Sequence, residues 1–154
     1  MRPGGLTGST PVRVDGPEHR ADAERVALAV GMDLMDVGDA RASLARYGTL
    51  YLRRVFTKGE IADSKDGRDA RWLAACFAAK EATLKSIGAT SEPIDLRFVE
   101  IRPDASGELA VRLSGTCVEI AERAGIVRIS VSVAVTHEVV AAIAVAQTTD
   151  DERE

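Results

Sequence analysis

The chain has 154 residues, 20 of them Lys or Arg against 24 Asp or Glu, with two His, two Cys and six aromatics. That length suits one domain with one core, no apolar run reaches the roughly 20 residues of a membrane span, and the opening Met1–Pro17 lacks the apolar stretch of a secretory leader. A net charge of −4 disfavours general nucleic-acid or membrane-surface binding, and two widely separated cysteines without an export signal suit a reducing cytoplasm.

Residues 1–25 are rich in Gly, Pro, Thr and charge and lack apolar periodicity, which predicts a flexible extension ahead of a domain over 26–147. Residues 26–37 form a near-continuous apolar run, the pattern of a buried strand, with Asp33 towards its far end. Residues 39–54 read as helix, with Leu44, Tyr47 and Tyr51 facing inward and a break near Gly48. Thr57 followed by Glu60 has the spacing of a capping box. The strongest helix covers 68–87, where Leu73, Phe77, Lys80, Leu84 and Ile87 recur at spacings of 4, 3, 4 and 3 and Gly88 marks the end. Lys80 therefore lies in an apolar stripe, where an ammonium is costly unless paired, and Glu81 with Lys85 makes an acid-to-base pair four residues apart. Residues 96–101 and 109–113 predict strands around a turn at Asp104–Gly107, 114–124 a helix ended by Gly125, and 128–136 with 139–146 a strand pair. Residues 148–154 read as an acidic tail. The sum is an α+β domain with antiparallel strand pairs and one long central helix.

Among chemical motifs, a GxxxxGK[ST] loop, GxSxG, HExxH and CxxC are all missing. Lys is scarce, limited to Lys58, Lys65, Lys80 and Lys85, yet two of these share one helix with Glu81. Asp33 and Glu81 come from separate elements, and two such carboxylates suit Mg²⁺, which leaves its other positions to water and phosphate oxygens. Neighbouring lysines suit phosphate charge as well. Each residue alone also has an ordinary reading, a turn or capping Asp and a solvated Glu; together they point to metal-assisted chemistry on a phosphorylated substrate.

Gly31-Met32-Asp33, followed by Phe77-Ala78-Ala79-Lys80-Glu81-Ala82-Thr83-Leu84-Lys85, resembles the paired signature of the 4′-phosphopantetheinyl transferase superfamily. Arg53-Arg54-Val55-Phe56-Thr57 with Glu60 resembles a segment of its small bacterial branch, the holo-acyl-carrier-protein synthases, as does the later pattern of Gly107, Val111, Leu113 and Gly115. The resemblance implies a small single-domain α+β subunit of the trimeric type, with active sites between subunits. It implies Mg²⁺-dependent transfer of 4′-phosphopantetheine from coenzyme A to a serine of an apo acyl carrier protein, releasing adenosine 3′,5′-bisphosphate. By position Asp33 and Glu81 match the metal-binding carboxylates, Lys85 the lysine near the reacting phosphate, and Lys80 the lysine of the KE pair on the coenzyme side. The implied catalytic set is Glu81, Lys85 and Asp33, with the general base open among Glu81, Asp33 and a metal-bound water.

Three positions depart from that family's pattern. Cys76 stands where Arg is usual, Val135 where a strand carries His, and Gly88-Ala89-Thr90-Ser91 replaces a Gly-rich turn. His137 lies two residues beyond Val135; in a regular strand both would face one way, roughly 7 Å apart, so His137 is a candidate stand-in at the coenzyme, alongside its reading as an ordinary strand-end histidine. An active transferase and a non-catalytic relative that binds a carrier protein both follow from this mixture. Charge distribution bears on the partner: between Arg41 and Lys58 there are five basic residues and no acid, whereas 150–154 holds four acids and one Arg. In the family this helical region meets an acidic carrier protein, which assigns partner binding to Arg41, Arg46, Arg53 and Arg54.

Overall fold

A computed structural model describes residues 26–91 and 93–149. The extension expected over 1–25, and 150–154 of the expected tail, lie outside the described residues. In chain order the elements are β1 (Val26–Asp36), α1 (Val37–Tyr47), α2 (Thr49–Val55), α3 (Lys58–Asp63), α4 (Ala70–Ser86), a 3₁₀ turn (Leu96–Phe98), β2 (Val99–Pro103), β3 (Leu109–Leu113), α5 (Thr116–Arg123), β4 (Ile126–Val135) and β5 (Val139–Thr149). They form the expected α+β architecture. An antiparallel sheet runs in the order β1-β5-β4, and β2 with β3 makes a separate hairpin. No helix among the described residues is long and apolar enough to cross a membrane.

Helix α4 lies across β1 and β5, and small residues set the close spacing of this layer. Ala74, Ala75, Ala78, Ala79 and Ala82 of α4 are buried, as are Ala142, Ala144 and Ala146 of β5, on which α4 packs. At Gly31 of β1 a Cβ would stand 1.9 Å from the Ala82 carbonyl oxygen and 2.7 Å from the Ser86 nitrogen, so only glycine admits the helix backbone there. Asp69 caps α4 by accepting the Trp72 N–H at 3.1 Å. Gly88, at φ 77, ends the helix as expected, with its N–H on the Lys85 carbonyl and the Ala89 N–H on that of Leu84.

Leu73, Lys80, Leu84 and Ile87 of the α4 stripe are buried as their spacing predicts, Lys80 fully, while Phe77 is partly exposed. The Lys80 Nζ donates to Glu60 Oε2 at 2.8 Å and to the carbonyls of Leu96 and Val99 at 2.9 and 2.6 Å. Glu60, also fully buried, accepts the N–H of Ile101 on Oε1 and that of Thr57 on Oε2, both at 2.8 Å. The latter contact is the back half of the expected capping box. One buried ion pair thus holds α3, α4, the 3₁₀ turn and β2 in register. Burial pulls the Lys80 ammonium below its ordinary pKa, while Glu60 pulls it back up.

Some expectations need correction. The strand at 26–36 is buried on one face only: Val26, Leu28, Val30, Met32 and Leu34 are 47–70% exposed, while Gly31 meets α4. An unbroken apolar run cannot distinguish a strand covered within its subunit from one whose second face waits for a partner. Asp36 caps α1 through the Gly38 N–H, so that helix begins two residues earlier than 39. The break at Gly48 is present, at φ 51. Leu44 and Tyr51 pack against the core, Tyr51 edge-on to Phe56 at 5.6 Å, but Tyr47 is half exposed beneath Arg46. Residues 96–98 wind into a 3₁₀ turn because the Asp95 carboxylate caps the Arg97 N–H. β5 continues to Thr149 by pairing Thr148 with Ala27, so the strand runs past the expected boundary at 147.

Removing one partner of the buried pair should be costly. Lys80→Met is expected to lower unfolding free energy by about 3–5 kcal/mol, because it strands the Glu60 carboxylate without its cation. Adding Glu60→Gln should recover part of that loss; chemical denaturation of both variants checks the sign of the coupling.

Candidate active site

The alternation of β1 places Gly31 and Asp33 on the same side, and the absence of a side chain at Gly31 lets α4 approach closely enough to reach Asp33. Lys85, in the last turn of α4, spans the gap: its Nζ donates to Asp33 Oδ1 at 2.8 Å and to the Met32 carbonyl at 2.9 Å. The Asp33 side chain is 18% exposed and that of Lys85 44%. Glu81, one turn back along α4, is half-buried and feels both: burial raises its carboxyl above the ordinary 4.5, the Asp33 charge raises it further, and Lys85 opposes them. Asp33, Glu81 and Lys85 thus form one electrostatic unit.

Glu81, Leu84 and Lys85 line a groove of about 390 Å³ whose other wall is Ala89, Thr90, Pro93, Ile94 and Leu96. The altered Gly88–Ser91 segment therefore borders this groove. A larger cavity of about 800 Å³ lies between α2–α3 and the 3₁₀ turn, lined by Arg53, Phe56, Lys58 and Phe98 among others, and contains none of the three convergent groups. The smaller groove carries the chemistry, because charge of both signs meets there beside open space.

The other sequence candidates sit elsewhere. Lys80 adjoins Glu81 in sequence, yet it projects about 100° away around the helix and spends three hydrogen bonds inside the fold, so its amine has no donor left for a coenzyme. His137 is in the exposed turn between β4 and β5, past the end of β4 at Val135, and does not line the groove. The same-face pairing with Val135 is thus not formed. Cys76 is fully buried, its Sγ 3.9 Å from the Ile101 carbonyl, and burial with the Glu60 charge pushes its thiol far up. Arg41, Arg46, Arg53 and Arg54 are all exposed and, among the described residues, none makes an ion pair. Sequence reasoning missed the wall at Pro93, Ile94 and Leu96; only the helix stop at Gly88 signalled a change of direction there.

The arrangement has the donor chemistry of a hard-cation site. Two carboxylates from facing elements repel each other, the Asp33 charge adding to burial in raising Glu81, and a cation between them would relieve that repulsion. Among the described residues no group of three or more His, Cys, Asp or Glu gathers; Asp33 and Glu81 are the residues that could hold a cation here.

Residues 29–144 match the family described as the 4′-phosphopantetheinyl transferase superfamily. The chain belongs to that superfamily. A holo-acyl-carrier-protein synthase of Dehalococcoides mccartyi is 37% identical over 124 residues, covering 78% of this chain and 98% of the relative. One from Chloroflexus aurantiacus is 36% identical over 130 residues, covering 75% and 95%. The holo-acyl-carrier-protein synthase of Plasmodium yoelii superposes with a TM-score of 0.71 at 26% identity over 82% of this chain and 99% of that one. The acyl carrier protein synthase of Mycobacterium tuberculosis does so with a TM-score of 0.60 at 32% identity over 78% and 96%. The chain is thus a transferase of this superfamily, and its α+β subunit has the synthases' fold.

The electrostatic unit makes a signed prediction for the metal-free protein. Because the folded-state Glu81 pKa is raised, its contribution to stability is fully present below the ordinary 4.5 and is lost as pH rises through the raised value. Lys85→Met should move the Glu81 titration further up and Asp33→Asn should move it down; carboxyl-carbon NMR across the pH range reads both shifts. Movement in the opposite directions would break the assignment of causes.

Proposed function

We propose that this protein transfers 4′-phosphopantetheine from coenzyme A to a serine of an apo acyl carrier protein in the cytoplasm, with Asp33, Glu81 and Lys85 as its working residues. The observation that carries the reading is the meeting of Glu81 and Lys85 at one groove, with Asp33 ion-paired to Lys85 behind it, at positions that match the family signature. Transfer requires the serine oxygen to bond to the phosphorus bearing pantetheine while the bridging P–O bond breaks. The bridging oxygen leaves with adenosine 3′,5′-bisphosphate, and the serine proton must go to a base.

This chain's own groups divide that work. Asp33 is committed to its ion pair with Lys85, whereas Glu81 has a raised affinity for a proton and faces the groove. Glu81 is the base in this reading because it faces the groove and, among the described residues, makes no ion pair. Lys85 is partly exposed and can swing a donor towards a phosphate oxygen while Met32 and Asp33 hold its resting position. Asp33 and Glu81 fit Mg²⁺, which when bound offsets pyrophosphate charge. The groove beyond Lys85 offers Ala89, Pro93, Ile94 and Leu96 as an apolar wall for the coenzyme, and the exposed, unpaired Arg41, Arg46, Arg53 and Arg54 suit an acidic carrier protein.

Intact-protein mass spectrometry of apo carrier protein with coenzyme A and Mg²⁺ is expected to show addition of one phosphopantetheine. Asp33→Asn and Glu81→Gln should each lower kcat/KM by about 10²-fold or more without unfolding the protein. Lack of any mass gain across acidic carrier proteins would sink the transferase reading.

The assembly in this reading is a homotrimer. Leu28, Val30, Met32 and Leu34 of β1, with Ile143 of β5, form an apolar sheet face 37–70% exposed in the single subunit, and a face of this kind marks an interface. Leu34→Glu should convert a wild-type trimer to monomers in size-exclusion chromatography with light scattering. A monomeric wild type would refute the trimer.

A further inference from the structure

A second group of cations stands apart from the helical arginines assigned to the partner. Lys65 and Arg68 lie in the turn between α3 and α4, and Arg71 in the first turn of α4. Together with Arg41 of α1 they line a depression of about 340 Å³. All four are exposed and, among the described residues, none is ion-paired. Of the nearby acids, Asp69, which also lines the depression, caps the Trp72 N–H, Asp63 is held by Arg102 at 2.8 Å, and Asp66 lies in the same turn outside the depression's lining. The positive end of the 17-residue α4 adds to the same field.

The turn that carries these cations is held in an uncommon backbone conformation. Lys65 and Asp66 sit at φ 55 and 57, in the left-handed region, at a cost non-glycine residues avoid. The buried Ser64 enforces it. Its Oγ donates to the Ile61 carbonyl at 2.6 Å and accepts the Gly67 N–H at 2.8 Å, while its carbonyl accepts from Arg68 and Asp69. Arg68 is fixed in turn, its Nε donating to the Lys65 carbonyl at 2.9 Å. A turn free to relax would spread like charges; this one gathers them.

We propose that Arg41, Lys65, Arg68 and Arg71 form a second anchor for the acidic carrier protein, holding carboxylates on its surface while its serine reaches the groove. This rests on the transferase reading above. Arg41 belongs to both surfaces and makes the anchor continuous with the α1–α2 face. Arg71 and Lys85 are 14 residues apart on one helix, or roughly 21 Å along its axis. A protein partner burying about 800 Å² covers a disc roughly 30 Å across, so one docked domain can span both ends.

The test measures binding and turnover separately, with an acidic apo acyl carrier protein as probe. Arg68→Glu and Arg71→Glu are each expected to weaken carrier binding, and to raise its KM, at least tenfold. The KM for coenzyme A should stay within twofold, Arg71→Lys should retain carrier affinity, and circular dichroism should report a folded variant. Unchanged carrier affinity in an active enzyme overturns the anchor and leaves the transferase reading intact. A rise in the coenzyme A KM instead of the carrier KM overturns it too, reassigning the cations to the nucleotide. A wild type that binds the carrier through these residues without modifying it sustains the anchor and removes the transferase reading.

Discussion

Lys80 and Glu60, a lysine and a glutamate shielded from solvent, fix the geometry on which the rest of this molecule depends. An ammonium and a carboxylate in an apolar interior are tolerable only when each is paired and its remaining hydrogen bonds are filled. Here every such bond is made, to backbone groups of β2, the 3₁₀ turn and the α3 cap. The pair leaves α4 little freedom to rotate about its axis. Since successive helical residues project about 100° apart, a Lys80 that points to β2 turns Glu81 and Lys85 towards β1. A residue without contact to the groove thereby decides that the charges of the groove converge.

β1 adds the second constraint through its alternation. One set of side chains, with Gly31 and Asp33, faces α4; the other, from Leu28 to Leu34, remains on an open apolar face. A shift of one residue in register would exchange the two sets, turning Asp33 outward and burying Met32 against the helix. The eleven-residue pairing with β5 makes such a slip costly. Site geometry and the face available for assembly are therefore fixed by the same hydrogen bonds.

Much of this was legible in the sequence, for identifiable reasons. Periodicity gave α4 and its stripe, a Thr and a Glu three residues apart gave the α3 cap, and Gly88 gave the helix stop. Asp33, Glu81 and Lys85 carried a recognisable spacing, and the fold brings them together. The apolar stripe shows Lys80 as a buried amine that needs a partner but does not identify Glu60, because twenty residues and a turn separate them and only tertiary packing joins them. His137 looked like a neighbour of Val135 on the assumption that the strand continues; Thr136 ends it instead, its Oγ1 accepting the N–H groups of Glu138 and Val139. The burial of β1 was misjudged because hydrophobicity says that a face will be covered and leaves unstated what covers it.

One of the chain's departures from the family pattern lies beside the same buried pair. Cys76 is one helical turn before Lys80, fully buried, and within the electrostatic reach of both Lys80 and Glu60. The thiol there behaves as a small apolar group, and burial together with the Glu60 charge pushes its pKa up. The substitution at 76 thus falls on the packing side of α4, while the groove side keeps its two carboxylates and its lysine. Within this subunit, a change of residue at that position alters how the helix is held without removing a group from the groove.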